Sequence, residues 1–386
     1  MFKLLEVYMR VAIIGAGPAG LYAAILIRRL RRDAEITIHE QNSADATWGF
    51  GVVFSDQALA FLRMDDAETA DLIEPNMKRW SDIAIVHRGE RITIDGVGFA
   101  GIGRLSLLRL LQQRASDLGI AVAYDARVDT LDGLDADLVI GADGLNSAVR
   151  ATGDFGETIV HRNNRFVWYG AEREFDGLTQ TFIETRFGAM NAHHYAYAPG
   201  KATFIIEMPA DVFARTGFEA MREPAYRAAC EQLFCDTLKG APLVANNSMW
   251  RQFPDLSCGR WFDDNRVLVG DALRTAHFSI GSGTRLALED VIALIKALQD
   301  TDWSVSAALP SYQAERKPVL DKLVTAARAS CDWYEIFAEH MALDPWLFAL
   351  SYIQRAGRVD AARLRQLAPR FTRGLDVRGI DLETAA

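Results

Sequence analysis

Arg10-Val-Ala-Ile-Ile-Gly-Ala-Gly-Pro-Ala-Gly-Leu21 is the stretch on which the reading of the fold turns. Val11, Ala12, Ile13 and Ile14 form an apolar run that reads as a buried strand closed by a glycine turn. Gly15, Gly17 and Gly20 fall at the G-x-G-x-x-G spacing, with Pro18 and Ala19 in the last interval, and residues 21–30 continue as an amphipathic helix. In such a unit the first glycine makes the tight turn and the second lets the backbone approach a pyrophosphate. The third lets helix and strand pack closely. The helix N-terminus adds free N–H groups and a partial positive charge. A glycine-rich turn alone also fits a plain structural turn, and the next strand narrows the choice. Glu35-Ile-Thr-Ile-His-Glu40 ends in a carboxylate where a dinucleotide fold places the acid that accepts from the adenosine ribose. An ADP-containing cofactor is expected, with FAD and NAD both open at this point.

The totals bound the rest. A chain of 386 residues accommodates about two to three domain-sized units. Its net charge of −9 argues against a nucleic-acid surface, which needs a basic face. No segment approaches the roughly 20 apolar residues of a membrane span. Met1-Phe-Lys-Leu-Leu-Glu-Val-Tyr8 is short for a signal peptide and carries an internal acid, and Met9-Arg10 offers a second start. A cytoplasmic protein, with no membrane and no nucleic-acid partner, is therefore expected. Cys230, Cys235, Cys258 and Cys331 lack metal-ligand spacing and suitably placed histidines, so buried or free thiols are expected and no metal site.

The pattern is α/β. Thr47-Trp-Gly-Phe-Gly-Val-Val-Phe-Ser-Asp56 reads as a glycine-punctuated aromatic loop, residues 83–94 as a hairpin, and Gly98-Phe-Ala-Gly-Ile-Gly-Arg104 as the entry to a helix. Residues 119–124 and 136–141 are further core strands, the latter running into Asp143-Gly144. Residues 166–208 change to β texture, predicting a mainly antiparallel sheet inserted into the Rossmann-type frame. Residues 266–270 return as a frame strand followed by Asp271, and residues from 312 onward read as helical with Pro and Gly breaks. The expected organisation is a dinucleotide-binding segment at 9–160 holding the small hairpin insertion, and a β-sheet substrate domain at 161–260. The dinucleotide-binding domain, which the resemblance below makes an FAD-binding domain, returns at 261–300, and a helical C-terminal segment follows at 301–386.

Gly15-x-Gly17-x-x-Gly20, Asp143-Gly144 and Gly270-Asp271, in this order, resemble the single-component FAD-dependent aromatic hydroxylases of the para-hydroxybenzoate hydroxylase type over roughly residues 9–340. The resemblance implies that Asp143-Gly144 serves flavin and transient NADH or NADPH binding, and that Gly270-Asp271 meets the flavin ribityl chain. It implies that Arg104 meets the ribityl–phosphate side. Asp271 is of the right type to accept from ribityl hydroxyls. The loop Phe278-Ser-Ile-Gly-Ser-Gly-Thr284 leads into a helix, so N–H groups near Gly283 and Thr284 can face the flavin pyrimidine edge, where reduced flavin is negative. Trp48-Gly-Phe-Gly-Val-Val-Phe-Ser-Asp56, Phe99-Ala-Gly-Ile-Gly-Arg104, Phe166-Val-Trp-Tyr-Gly170 and Thr275-Ala-His-Phe-Ser-Ile-Gly-Ser-Gly-Thr284 look like the salicylyl-CoA 5-hydroxylase and anthraniloyl-CoA monooxygenase branch. The tryptophan hydroxylase of violacein biosynthesis shares much of this pattern. Phe278 stands where the wider family commonly has proline. Some branch members carry a C-terminal reductase barrel, which needs about 250 residues; the tail after His340 is shorter, so a stand-alone hydroxylase is expected.

The resemblance implies hydroxylation of an aromatic acyl-CoA, foremost salicylyl-CoA to gentisyl-CoA, with FAD, NADH or NADPH and O2, through a flavin C4a-hydroperoxide. Period-two alternation in Asn191-Ala-His-His-Tyr-Ala-Tyr197 puts His193, Tyr195 and Tyr197 on one strand face, where they can line a substrate pocket with Trp168 or Phe166. His277, beside the flavin loop, is the candidate to hydrogen-bond a phenol as a catalytic residue. Arg28, Arg29, Arg31 and Arg32 form a basic cluster that could meet CoA phosphates, with a solvated helix face as the favoured reading. Competing readings are a hydroxylase of a free aromatic or indole substrate, a flavin-dependent reductase, and a non-catalytic flavin protein. A halogenase is disfavoured by the absence of W-x-W-x-I-P. A monomer and a homodimer are both open.

Overall fold

In the computed structural model, residues 8–357 and 359–382 are described, so the reading of residues 1–8 as a poor signal peptide lies, but for Tyr8, outside them. Arg10–Ile14 is an inner strand of a six-stranded sheet. The order runs Phe262–Asp263, Arg266–Leu268, Leu138–Gly141, Arg10–Ile14, Glu35–His39, Val122–Ala123. All pairs are parallel except the first, which forms the antiparallel edge. Parallel strands must be covered on both faces, and the helix Pro18–Leu30 buries every residue from Ala19 to Ile27 in doing so. Each fully buried leucine or isoleucine there contributes about 1.5–3 kcal/mol. Proline at the first helical position supplies the fixed φ of a helix start and forgoes an N–H that has no intrahelical partner. Helix Gly283–Asp300 packs against this helix.

The second sheet has seven strands in the order Leu243–Val244, Arg165–Ala171, Lys201–Met208, Gly188–Ala198, Leu178–Thr185, Ile83–His87, Glu90–Ile94. The hairpin expected as a small insertion in the first segment is therefore the outer edge of this sheet. Ile83–His87 runs parallel to Leu178–Thr185, a pairing that no local sequence pattern encodes. Alternation divides the sheet cleanly. Val167, Tyr169, Met190, Ala192, Phe204 and Ile206 form one apolar face, packed with residues of helices Ala210–Thr216 and Ala225–Leu233. Register sets Trp168 opposite Ile205 and Ile205 opposite His193 on the other face.

A three-stranded sheet joins the two bodies: Gly51–Ser55, Phe99–Gly103 and Lys78–Trp80. Phe99–Gly103, expected to lead into a helix, is a strand throughout, and the helix starts at Arg104. Its glycines are required by close approach: a Cβ on Gly101 would press on the Trp80 ring, and one on Gly103 on the Tyr197 ring. In the C-terminal segment, Pro345 and Pro369 each open a new helix, whereas helix Val305–Glu335 continues through Pro310 and Pro318. Burial of Leu309, Tyr312, Leu320 and Tyr334 holds it against the neighbouring elements. Tyr334 donates from its hydroxyl to Gln180 Oε1 at 3.0 Å, and its carbonyl accepts from Asn164 Nδ2 at 2.7 Å, tying this helix to the second sheet. None of the described helices is long and apolar enough to cross a membrane. The four cysteines are free thiols.

Candidate active site

A cavity of about 700 Å³ is walled by both sheets and the loops between them. Gly15, Gly17, Pro18, Ala19, Glu40, Arg104, Asp143, Gly270, Asp271, Gly283 and Thr284 all line it. Gly20 lies just behind, where a Cβ would overlap the Gly15 carbonyl oxygen. Gly15 has φ +101°, and a Cβ there would strike the Ala142 carbonyl. Gly17 differs from both: a Cβ on it meets nothing within 4 Å, so it faces open space at the N-terminus of the helix. That helix has no side-chain cap, which leaves its first N–H groups free for an anion.

Glu40 reaches back into the turn. Its Oε2 accepts from the Ala16 N–H at 2.9 Å, and its Oε1 accepts from the backbone and side-chain amides of Asn42. One carboxylate thus shapes the glycine turn and still has an acceptor position left for a ribose hydroxyl. Asp143 Oδ2 accepts from Ala148 N at 2.7 Å and fixes the short helix after the strand, while its Oδ1 is buried without a partner. Burial raises the Asp143 carboxyl above its usual range. Asp271 opens into the cavity, and its depth in the protein also raises its pKa. Arg104 has no ion pair among the described residues. Its Nε is buried without a partner and its guanidinium lies 5.8 Å from the Trp168 ring centre. Gly283 and Thr284 begin an 18-residue helix with no side-chain cap, so a second set of free N–H groups ends at the cavity. An open glycine cradle, two uncapped helix starts, an unpaired guanidinium and an open carboxylate fit an ADP-bearing flavin from end to end.

The far end of the cavity is aromatic. Phe278 lies 4.9 Å from Phe166 and 6.2 Å from Trp168, ring centre to ring centre. His193 and Tyr195 stand on the same wall, 5.7 Å apart. The Tyr195 hydroxyl donates to the Gly51 carbonyl at 2.8 Å, and burial pushes its pKa up to about 12. Tyr195 therefore shapes the wall as a neutral, already engaged phenol. His193 is buried with neither ring nitrogen partnered, and burial with nearby Arg355 draws its pKa down to about 3. It is a neutral imidazole with both nitrogens to offer. His277, the expected catalytic histidine, is not brought to the cavity wall. Its Nδ1 accepts from Ser279 N at 3.3 Å, and its ring lies behind Phe278, 4.8 Å from Phe253. Its place is that of a residue shaping the loop. His194 points to the opposite sheet face, between Phe175 and Phe204.

Several residues that hold the site carry no local sequence signal. Asp290 accepts from Arg274 at 2.8 Å, from Arg316 Nε at 3.1 Å and from Gly270 N at 3.3 Å; Arg316 also donates to Glu289 at 2.9 Å. All four charged groups are buried, and they grip the Gly270-Asp271 turn. Two adjacent acids inside an apolar helical run were the only trace of this in the sequence. Asn246 Nδ2 donates to the carbonyls of Thr47 and Gly49, pinning the Trp48 loop. Arg355, from the C-terminal segment, donates to Ser279 O at 2.9 Å and stacks 3.8 Å over Tyr352.

Glu207 is buried on the cavity side of the second sheet, and burial pushes its carboxyl up to about 8. A raised carboxyl contributes its stability below the unfolded value near 4.5 and loses it as pH rises through 8. Glu207→Gln is therefore expected to match the wild-type Tm at pH 5 and to exceed it by about 2–4 °C at pH 8. Melting curves at the two pH values check this; equal differences at both would contradict it.

An FAD binding domain family matches residues 110–327, more than half of the chain. A salicyloyl-CoA 5-hydroxylase from Streptomyces sp is 38% identical over 361 residues, covering 90% of this chain and 70% of that protein. A 3-hydroxy-4-methyl-anthranilyl-[aryl-carrier protein] 5-monooxygenase from Streptosporangium sibiricum is 33% identical, over 84% of this chain and 89% of its own length. A crystal structure of 2-methyl-3-hydroxypyridine-5-carboxylic acid oxygenase superposes with a TM-score of 0.73 at 16% identity, covering 93% of this chain and 96% of that one, a likeness of fold. With the cofactor-shaped cavity, these relatives identify the chain as a member of the FAD-dependent aromatic monooxygenases.

Proposed function

We propose that this monooxygenase hydroxylates the ring of an aromatic acyl thioester, with salicylyl-CoA, converted to gentisyl-CoA at its 5-position, as the first candidate. The observation that carries the reading is the 38% identity to salicyloyl-CoA 5-hydroxylase along nine-tenths of the chain. The second relative acts, by its name, on an aryl group held by a carrier protein. FAD, reduced by NADH or NADPH, supplies an electrophilic oxygen derived from O2 when bound. Gly17, the helix N-terminus behind it, Arg104 and Asp271 would hold its pyrophosphate and ribityl chain. The helix starting at Gly283 would set positive potential beside the reduced ring system.

The remaining work falls to the aromatic end. Phe166, Trp168 and Phe278 pack on one another as an apolar wall against which a planar ring can lie, shielded from water on that side. Neutral His193 can accept the proton of a ring hydroxyl in a hydrogen bond, which raises electron density ortho and para to that hydroxyl. In a salicyl ring the para position is C5, remote from the electron-withdrawing thioester. The positions so activated include the one that the named relative hydroxylates.

Substrate-stimulated NADH and NADPH oxidation tests this with free aromatic acids, aryl-CoA esters and indoles in parallel, followed by product mass. Stimulation by salicylyl-CoA with gain of one oxygen atom is expected. Stimulation by indoles and by no thioester would overturn the thioester reading and leave the family assignment intact.

A further inference from the structure

Among the described residues, six charged side chains line the cavity: Glu40, Arg104, Arg127, Asp143, Arg251 and Asp271. The acids belong to the nucleotide motifs, Arg127 is paired with Asp129, and Arg104 stands near Asp271. Arg251 has no such place: among the described residues its guanidinium has no ion pair and no hydrogen-bond partner, and no charged group influences it.

Its position is well defined. The backbone of Arg251 exchanges both hydrogen bonds with Phe166, at 3.0 Å each, as an antiparallel bridge. Residues directly opposite in such a bridge carry their side chains on one face. The guanidinium therefore leaves from beside the Phe166 ring. Phe166 is 8% exposed, whereas Arg251 is exposed, so this pair marks where the aromatic wall meets solvent. His161 and Gln252 line the cavity as well. The chain carries a net charge of −9, so an uncompensated cation at the mouth stands out as a local attraction for an anion.

Resting on the acyl-thioester reading above, we propose that Arg251 receives the phosphate of the substrate's pantetheine arm and fixes the direction in which that arm leaves the cavity. A guanidinium presents a planar fork of donors suited to phosphate. Coenzyme A and a carrier protein present the same phosphopantetheine chemistry.

The test compares wild type, Arg251→Ala and Arg251→Lys on salicylyl-CoA, on the salicyl thioester of N-acetylcysteamine, which lacks phosphate, and on salicylate. Arg251→Ala is expected to raise KM for salicylyl-CoA on the order of tenfold while kcat stays within about twofold. KM for the N-acetylcysteamine thioester should not move, and Arg251→Lys should recover part of the loss. Salt should raise the wild-type KM for salicylyl-CoA and have less effect on Arg251→Ala. An unchanged KM for salicylyl-CoA, an equal rise for both thioesters, or an effect on salicylate alone would overturn the proposal. Wild type that uses no thioester would overturn the substrate reading and the proposal together, whereas thioester use that is indifferent to Arg251 would overturn only the latter. Running the salicyl group on a carrier protein beside the CoA ester shows which source the arm comes from, through the one with the lower Arg251-dependent KM.

Discussion

Gly17→Asp is expected to yield a folded, colourless protein. Gly17 is the N-cap of the first helix at φ −68° and ψ 179°, an extended conformation open to any residue, and a Cβ there touches nothing. Aspartate is among the preferred N-cap residues, so the apoprotein should keep its Tm or gain about 1 kcal/mol of stability. The space the new side chain enters is the pyrophosphate cradle, and its negative charge faces the two negative phosphates. Flavin content per chain should fall to near zero while circular dichroism is unchanged. A yellow variant with full flavin content would overturn the cofactor placement. Gly20→Ala provides the contrast, because its methyl group would enter the Gly15 carbonyl and damage the fold itself.

Asp290→Ala should produce the largest loss of stability. It would leave Arg274 and Arg316 buried without the carboxylate between them and would remove the acceptor for the Gly270 N–H. Breaking a buried ion pair by removing one partner costs about 3–5 kcal/mol. For a chain of this size that is a fall in apoprotein Tm on the order of 10 °C, read by thermal denaturation. Flavin affinity should weaken as well, because Asp271 stands on the turn that Asp290 holds. Asp290→Asn keeps the acceptor oxygen and should lie between the two. A Tm within 1 °C of wild type for Asp290→Ala would show that the network contributes nothing net.

The glycine turn and the Glu40 strand end were legible because short spacings encode them, while the gathering of three distant motifs at one place was implied by the family resemblance. A turn that needs φ +101° at Gly15 announces itself within six residues. The face of the strand bearing His193 and Tyr195 was legible too, since alternation fixes it. What escaped depends on partners far along the chain. Nothing local to residues 83–94 says that Ile83 will pair with Leu178. Phe99–Gly103 has the glycine content of a turn, and only the Trp80 and Tyr197 rings pressing on it explain a strand. His277 sits next to Phe278 in sequence, yet the two rings take different sides of the wall. Arg251 and the Asp290 network are single residues whose surroundings are assembled by the fold.

The order of strands in the first sheet has a consequence for how the protein is made. Arg266–Leu268 lies directly beside Leu138–Gly141, which lies beside Arg10–Ile14, so the sheet is completed late in translation. The cavity wall draws on residues from Ile14 to Ala287. Until the helix beginning at Gly283 has emerged from the ribosome, the seat lacks its last wall. A bound flavin would therefore act as a clasp between early and late parts of the frame, and would stabilise the assembled cavity by mass action.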